Sequence, residues 1–316
     1  MDSSDVTHSK LGKWSWALLW LTVGVIGGGS LVRATGSGDG CGESWPRCEG
    51  SLFPLGGGTE TSIEFAHRFA TVMLAVALLA LLIAARGSGE TGRRVWRGLR
   101  WAGAFFIGEV IIGAVLVLAG WVDQDASIGR TIVVPLHLVN TFLLLGAVVL
   151  VVHVAHGGRW PRLDVRRLSN RIGLVVLGTM LLIGVTGGLN ALADSLFPAD
   201  TLLEGIKAEF GSAAPFLVRV RTIHPVVAIA GGLIIVLALR SPSFDPAGLV
   251  RRQADAAALL VGIEAAIGIL NVALLTPVEI QLVHLLVADL LWIVAALAVI
   301  RVVAATTVET RRVNAV

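Results

Sequence analysis

Runs of roughly twenty apolar residues, each long enough to cross a bilayer, alternate along the chain with short segments rich in glycine, proline and arginine. Eight such runs fall near residues 14–33, 63–85, 99–120, 131–153, 172–193, 215–239, 255–275 and 280–303. The pattern predicts an all-α integral membrane protein with eight transmembrane helices. The signals also come in the same order twice. The third run contains GEVIIGAVLV and the seventh IEAAIGILNV, which share a Glu-x3-Gly spacing at Glu109/Gly113 and Glu264/Gly268. The first run ends GGGSLVRATGSG, and the fifth ends in a weaker echo, VTGGLNALADS, where Asn190 stands in the place of Arg33. Two tandem pseudo-symmetric four-helix bundles, residues 1–160 and 161–316, account for the repetition. An even number of spans per copy keeps the two copies parallel.

Composition agrees with this reading. Of 316 residues, 55% are hydrophobic and 15% charged, with a mean hydropathy of +0.82, against about 25% charged in soluble domains. Twenty-five basic residues against 22 acidic ones make a small excess, so placement matters more than size. The arginines fall in short loops and form no domain face, which excludes a nucleic-acid-binding role. Eighteen basic residues lie on one side of the predicted spans, in loops such as Arg93 to Arg100 and Arg159 to Arg171, and seven on the other. The positive-inside rule then places both termini in the cytoplasm. The polar first twelve residues read as a cytoplasmic tail leading into a full span, without a cleavable signal peptide.

Against this background the ionisable residues inside the spans stand out, because a charge there is costly and rarely accidental. His67, His137, His224 and His284 each open an even-numbered span, at one depth near the outer surface. Two imidazoles facing each other across a bundle can ligate a haem iron from opposite sides, so four predict two haem sites. Zinc fits less well, since no cysteine or carboxylate accompanies each pair at close spacing. Arg68, Arg130, Arg219 and Arg221 mark the outer rim, where guanidinium groups suit haem propionates. Gly113, Gly231, Gly232 and Gly268 would let a flat macrocycle approach the backbone.

Three further features qualify the picture. Glu64 precedes His67 by one helical turn; it either moves protons in an oxidation or complements the helix dipole. Glu109 and Glu264 are either protonated or hydrogen-bonded to the second nitrogen of a histidine. Cys41 and Cys48 share the first outer loop, as a structural disulfide or as an exchangeable pair near the haem. His8, His153 and His156 read as solvated or interfacial.

The segments LVRATGSGDGCGESWPRCEG and EFAHRF, with the four-histidine, eight-helix layout, resemble the haem A synthase family of cytochrome oxidase assembly over essentially the whole chain. The resemblance implies oxidation of the C8 methyl of haem O to the formyl group of haem A by successive hydroxylations. It places the substrate haem O on His67 and His137, with Glu64 as catalytic carboxylate, and a permanent haem b on His224 and His284. Cys41 and Cys48 match the family's cysteine pair. Haem O synthase is the partner it implies for supply of substrate; self-assembly is compatible with the sequence, which names no electron donor or acceptor. The chain departs from the family where many members have glutamine at positions 109 and 264, and in lacking a second cysteine pair. Two other classes fit part of the pattern. A doubled b-type cytochrome exchanging electrons with quinol shares the paired histidines but has no use for Glu64 or the cysteine loop. A haem or solute transporter would break its helices at midplane, whereas glycine and proline here cluster toward the outer ends.

Overall fold

In the computed structural model, which describes residues 3–54, 57–211 and 214–313, and side chains from residue 10 to residue 305 within those segments, ten α-helices follow one another. They are α1 (Ser3–Ala34), α2 (Thr59–Ala85), α3 (Gly89–Leu118), α4 (Ile128–Ala155), α5 (Leu168–Leu196), α6 (Leu202–Glu209), α7 (Phe216–Val220), α8 (Ile223–Arg240), α9 (Arg251–Ala273) and α10 (Val278–Val313). Among the described residues, eight helical segments are long and apolar enough to cross a membrane, α7 and α8 counting together as one. The chain is therefore an all-α protein of the multi-pass membrane class.

The expected spans recur within a few residues at most ends, with two instructive exceptions. The Arg-rich stretch before residue 99 is helical from Gly89, because arginine is a good helix former and its long side chain carries the charge away from the apolar zone. Likewise the predicted polar tail is helical from Ser3. The short α6, capped by Thr201 Oγ1 accepting from the Glu204 amide, was not signalled by a long apolar run.

Packing divides the spans into two rings. Helix α1 touches α2 and α4, and α3 lies between α2 and α4, closing a ring of four. Helix α5 touches α8 and α10, and α9 closes the second ring between those two. The rings meet where α4 packs on α5 and α10, and α1 on α10. Helices α4 and α10 are accordingly the most buried spans. Their shared seam is apolar, with Leu145, Val148, Ala295 and Ala298 fully buried and Phe142 stacked obliquely on Trp292 at 5.1 Å. Outward, Leu79, Ile111, Ile132, Leu182, Ile229 and Ile269 are each more than half exposed, as expected where the solvent is lipid.

Glycines tighten the inter-helix contacts. A Cβ at Gly231 would lie 2.8 Å from Ile183 of α5, and one at Gly232 2.8 Å from Val261 of α9. These two glycines therefore serve close helix packing and leave no space beside a macrocycle, contrary to the sequence expectation.

Candidate functional site

The four histidines lie at the same end of the molecule. His67 follows the start of its span at Thr59 by eight residues, His137 follows Ile128 by nine, His224 follows Phe216 by eight, and His284 follows Val278 by six. At a rise of about 1.5 Å per residue, all four sit two turns or so inside.

In the second ring the imidazoles of His224 and His284 face one another with centroids 6.5 Å apart and planes at 81°. A metal bonded to one nitrogen of each, at about 2 Å per bond, needs a centroid separation of about 6.3 Å. The pair thus fits a bis-imidazole haem. The remaining nitrogens are held from behind. Thr186 Oγ1 of α5 lies 3.1 Å from His224 Nδ1, and because that hydroxyl also donates to the Ile183 carbonyl at 3.0 Å, the imidazole is the donor. His224 is then the tautomer with a free Nε2, the form that binds metal. Behind His284, Glu264 Oε1 of α9 lies 3.2 Å from Nδ1, close enough for an ion pair though off the line of a good hydrogen bond.

The first ring repeats that support. Glu109 Oε2 of α3 lies 2.6 Å from His137 Nδ1, again off hydrogen-bond alignment. Thr141 Oγ1 donates to the same carboxylate at 3.0 Å and Asn140 Nδ2 to its other oxygen at 2.5 Å. Each of these glutamates stands nine residues before the end of its helix. Both glutamates thus approach a histidine's second nitrogen, at ion-pair distance. The ring of His67 lies against α1 where side chains are missing. A Cβ at Gly29 would come within 3.1 Å of it and one at Gly28 within 3.3 Å. His67 Nδ1 is buried without a hydrogen-bond partner. Gly187 gives His224 the same room, at 3.0 Å.

Glu64 is 3% exposed and faces the cysteine loop. Its Oε2 accepts from the Cys41 amide at 2.7 Å, and its Oε1 accepts from Arg68 Nη2 at 2.5 Å. Arg68 Nη1 in turn donates to the carbonyls of Ser44, at 2.8 Å, and Arg47, at 2.7 Å. Cys41 and Cys48 form a disulfide that closes this loop, and Gly40 lets it press onto α2, since a Cβ there would meet the Glu60 carbonyl group at 2.4 Å. The helix-dipole reading of Glu64 does not require these bonds. The carboxylate and guanidinium instead form one buried clasp with the disulfide loop. Replacing Arg68 with methionine is expected to speed backbone amide exchange in residues 41–48 by about tenfold for each 1.4 kcal/mol of lost bonding, measurable by hydrogen–deuterium exchange in detergent.

The rim arginines are likewise engaged. Arg130 donates to the carbonyls of Asp123, at 2.5 Å, and Asp125, at 2.9 Å, while its Nε is buried without a partner. Arg221 donates to the Ala193 and Phe197 carbonyls at 2.6 Å each and pairs with Asp194 at 3.0 Å. Glu209 in the connecting segment faces the same cluster; burial raises its carboxyl pKa while Arg221 pulls it the other way. Arg219 is on α7, its side chain also engaged. Arg33, absent from the sequence-derived site, crosses from α1 to the second ring, donating to Ala191 O and Ser195 Oγ at 2.8 Å and to Gln281 Oε1 at 2.9 Å. At the opposite end, His153 Nε2 donates to the Arg159 carbonyl and His156 Nδ1 to that of Val152, both local bonds; the side chain of His8 lies outside the described residues.

Comparison with known proteins follows the same lines. A Thermus thermophilus protein named protoheme IX farnesyltransferase is 38% identical over 289 residues, which are 90% of this chain and 47% of that protein. A heme A synthase of Lysinibacillus sphaericus is 38% identical over 121 residues, 37% of this chain and 38% of the relative. One from an Exiguobacterium species is 29% identical over 178 residues, 56% of each. The chain thus spans about half the length of the first curated relatives it matches. The family model described as cytochrome oxidase assembly protein (COX15-CtaA) matches residues 58–296, a stretch that holds all four histidines and both supporting glutamates, and the chain belongs to that family.

Proposed function

We propose that the chain is a haem A synthase, oxidising the C8 methyl of haem O to a formyl group, with residues 1–160 as the substrate half and 161–316 as the haem b half. The observation that carries this reading is an asymmetry. Both rings bring paired histidines to one end and set a buried carboxylate–arginine pair near it, Glu64–Arg68 in the first and Asp194–Arg221 in the second. Among the described residues only the first of these pairs is clasped under a disulfide loop. A pure electron carrier has no use for that clasp. The relatives named heme A synthase support the reading, and the relative named for farnesylating protoheme suggests a haem O synthase as the partner that supplies substrate.

In this mechanism His224 and His284 hold haem b, which supplies one-electron transfer. His67 and His137 hold the substrate. Glu109, through Nδ1 of His137, fixes that ring and raises its basicity toward iron. Conversion of methyl to formyl balances as R–CH3 + H2O → R–CHO + 4 H+ + 4 e−, so it takes up one oxygen atom, needs an external electron acceptor for four electrons and releases protons. Glu64 is the carboxylate we assign to pass these protons on, one at a time, once substrate draws it from the Cys41 amide. Arg130, with an unpartnered Nε, is the guanidinium with capacity left for a propionate. The disulfide loop covers the site and limits entry of water. The excess of arginine at the far end supports a cytoplasmic location for that end, with the haem sites toward the outer face of the cell membrane.

Pigment extraction tests the reading. Purified from cells that also make haem O, the protein should carry one haem b and yield haem A. Two identical haem b groups with no formyl derivative would establish the carrier instead.

A further inference from the structure

Beside His67 a groove of about 320 Å³ runs between α1 and α2. Its wall on α1 is Gly28 and Leu31, and its wall on α2 is Ile63, Ala66 and Ala70, with Ser62 at the end nearest the disulfide loop. Ile63, Ala66 and Ala70 share one helix face with His67, so the groove runs from beside the imidazole toward the start of α2, where Thr59 and Ser62 line it, with Ala70 one turn deeper than His67. Small residues create it. Gly28 leaves the ring of His67 bare on one side, and alanines at 66 and 70 hold the helices' facing surfaces apart from any large side chain. Ala66 is exposed, so the groove opens to the surroundings of the spans. Its volume is at the bottom of the roughly 300–1,000 Å³ range of small-molecule sites. That is narrow for a tetrapyrrole, and the shape suits an aliphatic chain.

We propose that this groove holds the isoprenoid tail of the substrate and thereby selects which methyl group is oxidised. The inference rests on the haem A synthase reading of His67. A porphyrin held through its iron, with a flexible propionate at Arg130, keeps freedom to turn or flip about the imidazole axis, and such a disc carries several methyl groups at equal radius. Fixing one more point on its edge removes that freedom and leaves a single methyl facing Glu64, the gain in orientation that positioned reactants provide. In a membrane the tail loses little by leaving lipid, since lipid is as apolar as the groove. The groove therefore contributes register and discrimination between prenylated and unprenylated haem, and little bulk affinity. The apolar lining, the direct continuity with His67 and the relative named for attaching a farnesyl group to protoheme all favour a prenyl chain over the acyl chain of a bilayer lipid.

The test fills the groove from α2 with Ala70→Val and Ala70→Phe, and titrates the purified protein, its haem b in place, with haem O and separately with protohaem IX, following the Soret band. The expected result is a graded fall in the preference for haem O over protohaem, by roughly tenfold or more for phenylalanine, with protohaem affinity unchanged. A ratio of the two affinities equal to that of the wild type, whether both hold or both fall, would overturn the proposal; release of a bound phospholipid at an unchanged ratio would assign the groove to lipid. Because the readout is a binding ratio, it stands apart from turnover. A wild type that never forms haem A would sink the enzyme reading, whereas a wild type that does, beside variants with an unchanged ratio, would sink only the groove.

Discussion

Haem A formation should be abolished by His67→Ala or His137→Ala, while haem b stays bound. The two substitutions act in the first ring alone, and the second-ring pair, with its 6.5 Å ring separation and its supports Thr186 and Glu264, is left intact. Spectra of the purified variants should retain the reduced absorption of a bis-histidine b-type haem, and acid-acetone extracts should contain no formyl porphyrin. The converse pair, His224→Ala or His284→Ala, should lose the resident pigment. Full haem A yield from either first-ring variant would remove His67 and His137 from the reaction. A milder companion is Glu109→Gln, whose amide oxygen can still accept from Asn140 but whose NH2 cannot accept from Thr141, and which removes the charge behind His137. Loss of such a support typically costs about 10–100-fold in metal affinity or activity.

The largest effect on stability is expected at Arg33. Its guanidinium makes three bonds to three partners on α5 and α10, next to Asp194, which also faces Arg221. Truncation to alanine strands Ser195, Gln281 and a main-chain carbonyl, and leaves the carboxylate with one cation fewer. Breaking a buried charged cluster of this kind costs about 3–5 kcal/mol. Thermal unfolding in detergent, followed by tryptophan fluorescence, should show it as a marked drop in midpoint. Arg33→Lys should not restore the loss, because an ammonium group cannot serve three separated acceptors as a planar fork does. An unchanged midpoint for the alanine variant would mean that the rings are held together elsewhere.

Much of this architecture was readable from residue order. Span length and apolar content fix the helices, and the repeated placement of His67, His137, His224 and His284 identified the end where the site lies. What the chain did not reveal is how partners from distant segments meet. Glu109 and Glu264 stood without visible partners because their contacts, His137 and His284, are on the next helix and depend on how α3 packs against α4 and α9 against α10. Thr186 looked like an ordinary helix threonine, and only the approach of α8 turns it toward His224. Of Gly113, Gly231, Gly232 and Gly268, expected beside the sites, Gly268 alone lies against a histidine ring, where a Cβ would come within 3.4 Å of His284, and the other ring-facing glycines were not singled out by the sequence. Gly28, Gly29 and Gly187 meet imidazole rings, whereas Gly231 and Gly232 meet neighbouring helices. Arg68 and Arg221 were expected at a rim facing propionates, yet the loops fold back and claim their donors with main-chain carbonyls. Unsatisfied loop carbonyls near an apolar phase are costly enough to attract any guanidinium in reach.

Apolar seams in a bilayer are poor at telling a helix from a lipid tail, so the long contact of α4 with α10 aligns the rings without locking them. The polar crossing made by Arg33 sits at one extremity of that contact. The molecule is therefore pinned at one tip, like shears with the rivet at the end of the blades, and thermal splaying should grow with distance from the four histidines. Whatever spacing exists between the two histidine pairs is the part of the protein least disturbed by such motion.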